Sequence, residues 1–151
     1  MKYRMYCLAE RHLSSIQKAI QSAHAIVEYS LQFGETEEYK SWAKNDKTII
    51  VLDGGNVKDM DEIVEKFSAF EIPWMSFFEP DLDNIRTAIA VLVDERVYDT
   101  KTYGKNYDDY MMMCHNDCNL PKWGYFEWLQ NIGEMKNELL KSILIPKRIA
   151  I

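Results

Sequence analysis

Three carboxylates crowd into one short stretch of the chain, at Glu79, Asp81 and Asp83. Like charges this close raise one another's proton affinity, and a carboxylate moved toward neutrality can serve as a general base for water. The same stretch also suits a plain solvated loop, because structural charge clusters are commoner than catalytic ones. A second polar group, Gln17, Gln21, His24 and Glu28, recurs at helical spacing along residues 14–31. It runs beside an apolar set, Ile16, Ile20, Ala23, Val27 and Leu31, which predicts the buried face of a helix. The polar stripe is then either a wet face or one wall of a site. A third group, Cys114-His115-Asn116-Asp117-Cys118, offers two thiols and an imidazole. That is one ligand short of a structural zinc site, with His12 or His24 left to complete it. The alternative is a loop with incidental thiols.

These groups need elements to hold them. Residues 2–9 alternate loosely and predict a first strand, with Cys7 as a small core residue. His12 is expected on the surface between strand and helix. Ser14 and Gln17 fit a capping box at the start of the long helix, and Gly34 fits its end. A shorter helix is predicted over 37–44, with Tyr39 and Trp42 turned inward. The apolar run 48–52 reads as a central strand covered on both faces. Asp53-Gly54-Gly55-Asn56 lacks the established phosphate-loop patterns and is expected to be a turn. Asp59 and Glu62 suggest a second capping box, opening a helix that buries Ile63, Val64, Phe67 and Phe70. Residues 74–78 and 87–93 read as two strands joined by the acidic loop, and so as neighbours in one sheet.

The alternation predicts a single three-layer α/β/α domain with a small mixed sheet of about four strands. It occupies residues 1–98. Residues 99–151 differ in character, with Tyr103, Tyr107, Tyr110 and Met111, Met112 and Met113 in close succession. One long helix is expected over 123–145, although Gly133 weakens it by about 1 kcal/mol relative to Ala. This helical extension is expected to pack on the same domain, and its apolar excess also suits a protein partner or a homodimer.

The chain has 151 residues, 47% of them hydrophobic, and no stretch long enough to span a membrane. The residues after Met1 lack the apolar core of a signal peptide. Three cysteines, an odd number, fit a reducing compartment, and a soluble cytoplasmic protein is the expectation. The formal net charge of −6 counts against tight nucleic-acid binding, which draws its affinity from basic faces. A local basic patch would have to come from Arg4, Arg11, Lys18, Arg86 and Arg96.

Two segments carry a family resemblance. Gln21-Ser22-Ala23-His24-Ala25 resembles the Q-C-S-H-A run on the first helix of the type 2 peptidyl-tRNA hydrolases. Residues 78–90, FEPDLDNIRTAIA, resemble a segment of small bacterial and phage relatives of those enzymes. The resemblance touches the first two-thirds of the chain and independently implies a mixed sheet between helices. It implies cleavage of the ester joining a peptide to the 3′ ribose of tRNA, without metal or organic cofactor. Glu79 or Asp81 would orient or activate water, and Thr87 would hold that carboxylate. Lys18, Gln21 and His24 would position the RNA end or stabilise the oxyanion. The family's lysine position holds Gln17 here, and Lys18 projects about 100° away on the helix. The family's D-A-G-R-T-Q segment is absent. A binding module of the same fold without turnover, recognising RNA, a nucleotide or a protein, is the second reading.

Overall fold

The structure, a computed structural model, describes residues 1–150. Its first elements are β1 (Tyr3–Ala9), α1 (Ser15–Phe33), and α2 (Glu37–Ser41), which runs on into a π-helical turn, Trp42–Asp46. Next come β2 (Ile49–Asp53), α3 (Val57–Ala69), β3 (Met75–Glu79), a 3₁₀ turn at Pro80–Leu82, and β4 (Ile85–Asp94). Five helices follow: α4 (Glu95–Tyr98), α5 (Thr100–Tyr103), α6 (Tyr107–Asn116), α7 (Tyr125–Ile132) and α8 (Glu134–Leu144). The strands form one mixed sheet in the order β2-β1-β4-β3, with β1 parallel to β2 and β3 antiparallel to β4. The fold is therefore α/β, as the alternation of periods requires. The chain divides into two compact units, Met1–Val93 joined by the segment that begins at Lys147, and Asp94–Pro146. No helix among the described residues is long and apolar enough to cross a membrane.

In the first unit, α1 begins where its cap predicts. The Ser14 side chain accepts from the Gln17 amide while the Gln17 side chain accepts from the Ser14 amide. The face it buries is not the predicted one. Gln21, Ser22, Ala25 and Tyr29 are buried, whereas Ile16, Ile20, Val27 and Leu31 are exposed. The sheet explains the inversion. Met5 and Cys7 of β1 and Ala88 and Ala90 of β4 form the surface that α1 meets. The helix face that packs on it carries the small Ser22 and Ala25 beside Gln21 and Tyr29. Tyr29 also packs with Trp42 and Tyr39. Burial pushes the Cys7 thiol up to about 12, so it is an inert core residue.

Three other expectations need correction. Strand β2 lies at the edge of the sheet rather than at its centre, with Ile49 half exposed. The tail covers part of that edge: Asp53 N–H donates to Arg148 O, and Ala150 N–H to Val51 O. Paired edges resist sticking to other chains. Helix α3 is capped by Asn56, not Asp59; Asn56 and Asp59 exchange side-chain and backbone hydrogen bonds, and Phe70 falls beyond the helix. With Gly55 at φ +84 and its N–H bonded to Asp53, this turn is filled by the chain's own carboxylates.

In the second unit the predicted single helix is two. Gly133 takes φ +94 between α7 and α8, a conformation that suits a residue without Cβ. A Cβ there would lie 2.5 Å from Asn137 Nδ2 and 2.8 Å from Arg96 Cζ. Tyr110, Trp128, Leu129 and Ile132 form the core of this unit. Lys141 is also buried, its ammonium donating to Val97 O at 3.0 Å and Gly104 O at 2.8 Å. Burial pushes Lys141 down to about 8, against the pull of Asp99, Asp94 and Asp109.

Unfolded, Lys141 returns to its ordinary value near 10.5, so between about pH 8 and 10.5 unfolding takes up a proton. This residue's contribution to stability therefore rises with pH across that window. Urea midpoints of wild type and Lys141→Met at pH 8 and 10 should diverge by roughly 1–3 kcal/mol in favour of the wild type. A constant difference would show that the lysine titrates normally.

Candidate active site

Helix α1, strand β3 and strand β4 each send one polar side chain to a common point. Thr87 sits in β4 where the ladder slips: Phe77 pairs with Ala88, but Phe78 pairs with Arg86, leaving Thr87 as the extra residue of a bulge. Bulges re-aim side chains, and they concentrate beside functional sites. Here the bulged Thr87 hydroxyl donates to Gln21 Oε1 at 2.7 Å. Gln21 Nε2 then donates to Glu79 Oε2 at 2.8 Å. Phe77 O lies farther from the hydroxyl, at 3.3 Å, and the single proton goes to the nearer acceptor. The direction of the chain follows from Glu79, because an ionised carboxylate only accepts. The Gln21 amide must turn its nitrogen to Glu79, leaving its oxygen for Thr87.

Glu79 ends β3 and caps the 3₁₀ turn, its Oε1 accepting from the Asp81 N–H at 3.3 Å. The Gln21 amide, the Asp81 N–H and the charge on His24 together hold the Glu79 carboxyl below its ordinary value near 4.5. This reverses the expectation that the acidic cluster raises one of its members. Donors aimed at the carboxylate outweigh repulsion between neighbours that point into water. Asp81 and Asp83 are exposed, and Asp81 joins the site through its backbone alone. His24 stacks on Phe77 with ring centroids 4.5 Å apart.

Lys18 is turned elsewhere. Its Nζ lies 3.5 Å from Ala150 O, and its charge acts on Asp53 rather than on Glu79. Of the other candidate cations, Arg11 pairs with Asp53 at 3.2 Å, where the charge of Lys18 also acts, and Arg86 pairs with Asp61. Arg86 also stacks over Phe78 at 5.0 Å, and in the second unit Arg96 pairs with Asp94 at 2.9 Å.

A buried carboxylate missed in the sequence lies next to this site. Glu10 is 5% exposed, with His12 Nδ1 2.7 Å from its Oε1 and the His12 N–H donating to Oε2 at 2.8 Å. The Glu10 N–H donates to Thr87 O, so the two groups meet at the bulge. An acid, Arg11 and a His directly after a strand were the available signal, because the carboxyl ends of parallel strands are where α/β sheets place ligands. His12 is indeed at the surface, but tied to this buried acid.

In the second unit Cys114, His115 and Cys118 line a cavity of about 330 Å³ with Met111, Lys122 and Trp123. Among the described residues no three His, Cys, Asp or Glu side chains converge on a possible metal position. No protein-family model matches the chain, and no curated protein matches it.

Removing the amide should release Glu79. In Gln21→Ala, a carboxyl titration followed by NMR should move Glu79 upward toward its ordinary range. Thr87→Val keeps the shape but leaves the buried Gln21 oxygen without its donor. It should lower stability by about 1–3 kcal/mol in urea unfolding.

Proposed function

We propose that the Met1–Val93 unit hydrolyses a carboxylic ester, and that its substrate is the ester joining a peptide to the 3′ ribose of tRNA. One observation supports the reaction: Gln21, Glu79 and Thr87 form a continuous hydrogen-bond chain from three elements far apart in sequence. The substrate rests on the resemblance of residues 21–25 and 78–90 to the type 2 peptidyl-tRNA hydrolases and their relatives.

In this reading Glu79 works as an ionised acceptor. Two of its lone-pair positions are taken by the Gln21 amide and the Asp81 N–H, and those remaining accept from a water. That water attacks the ester carbonyl, the bond from the acyl carbon to the ribose 3′ oxygen breaks, and the proton the water gives up ends on that departing oxygen. A carboxylate with a depressed pKa is a weak base, so its contribution lies in positioning rather than in proton affinity. The second N–H of Gln21 and the His24 imidazole are the donors on the same helix for charge developing on the substrate. Thr87 is a positioning residue that acts through Gln21.

A binding module without turnover is favoured by a different observation. Arg11, Arg86 and Arg96 are paired with carboxylates, and Lys18 is directed to Ala150 O. No lysine therefore occupies the place the family gives one.

The two readings separate in one assay of peptidyl-tRNA and free tRNA, scoring ester release and binding at low and moderate salt. Turnover should fall at least about 100-fold in Glu79→Gln and change less than about twofold in Asp81→Asn. Salt-sensitive binding without product would leave the binding module. Neither turnover nor binding would remove tRNA from both readings. If Glu79 carries the reaction, the acid limb of kcat/KM should lie below the ordinary glutamate range and move up in Gln21→Ala.

A further inference from the structure

The apolar stripe of α1 contributes nothing to the core of the folded chain. Ile16, Ile20, Val27 and Leu31 are 74, 49, 55 and 77% exposed, an unusual row for one helix. No Asp, Glu, Lys or Arg is among the exposed residues between positions 16 and 31, in a chain that carries a net charge of −6. We propose that this face pairs with the same face of a second copy, the two α1 helices lying antiparallel across a two-fold axis.

Three features select this occupant. The spacing Ile16, Ile20, Ala23, Val27 alternates steps of four and three, the period by which one helix packs along another. The stripe also matches itself when reversed. An axis passing between Ala23 and His24 sets Ile16 opposite Leu31 and Ile20 opposite Val27. A two-fold contact demands such self-complementarity. The small Ala23 beside the axis lets the helices approach closely. Finally, two acidic copies repel over most of their surface, and like charges set face to face cost several kcal/mol. An uncharged face lets a second copy approach without that cost.

The stripe lies on the side of α1 away from Ala25 and Tyr29, with Gln21 on its flank and His24 at the border of the contact beside the axis. A helix of 19 residues is about 28 Å long and about 10 Å wide, so the pair buries about 600 Å² in all. That is below the roughly 1,200 Å² of stable interfaces, so the dimer is a concentration-dependent one.

Sedimentation velocity on the full chain from about 5 to about 500 μM tests this. Wild type should shift from monomer toward dimer across the series. Val27→Glu should stay monomeric at the top of it, with an unchanged circular dichroism spectrum because the position is exposed. Ile20→Lys combined with Val27→Glu should regain the dimer, since the axis sets each new cation against the partner's new acid. A wild type that is monomeric throughout would overturn the proposal, and its binding to anionic lipid vesicles would reassign the face to a membrane surface. A dimer that persists in Val27→Glu would place the contact elsewhere. A double variant no better than Val27→Glu would overturn the antiparallel register.

Discussion

A glutamine amide buried between a helix and a sheet needs a donor on one side and an acceptor on the other. Gln21 obtains both, from Thr87 and Glu79, and in doing so ties α1 to β3 and β4. An unpaired amide in that position would cost on the order of the stability a small domain can spare. The bulge at Thr87 is therefore not a defect of the ladder. It turns a hydroxyl out of register so that it meets the amide, while the Thr87 carbonyl still receives the Glu10 N–H. Polar residues that would be ordinary on a wet helix face become one bonded chain.

The same packing of helix on sheet leaves the isoleucines exposed. Gln21, Ser22, Ala25 and Tyr29 face a sheet surface that includes Met5, Cys7, Ala88 and Ala90, and the branched residues of α1 face outward. Tyr29, Tyr39 and Trp42 pack together at the far end. The outer face is left apolar and uncharged, a surface that water tolerates but a second helix would cover.

Charge is distributed to favour order over attraction. Arg11, Arg86 and Arg96 pair with nearby carboxylates, and Arg86 lies over an aromatic ring as well. Exposed pairs such as Arg11 with Asp53 add little stability. They do neutralise Arg11, Arg86 and Arg96 as contacts for a polyanion. With a net charge of −6, an RNA reading rests more on stacking and hydrogen bonds at the short 3′ end than on counterion release.

Composition and periodicity alone determined the α/β class, the four strands, the start of α1 at Ser14, and β3 and β4 as neighbours. These follow from local rules: apolar period, caps and short connections act within a few residues. The resemblance also brought forward Gln21, Glu79 and Thr87; Gln21 is bonded to both of the others, and Thr87 reaches the carboxylate only through it. Only the tertiary structure decided which face of α1 is buried, because that depends on the sheet residues it meets, Ala88 and Ala90 among them, which lie far along the chain. Likewise β2 reads as central from its apolar run, yet its neighbours are β1 and a tail at the far end of the chain. That Glu79 rather than Asp81 receives the Gln21 amide, and that its pKa is lowered rather than raised, came from the direction of amide groups. The buried Glu10 was hidden for the same reason. A carboxylate's burial and partners are fixed by distant backbone, and no spacing along the chain records them.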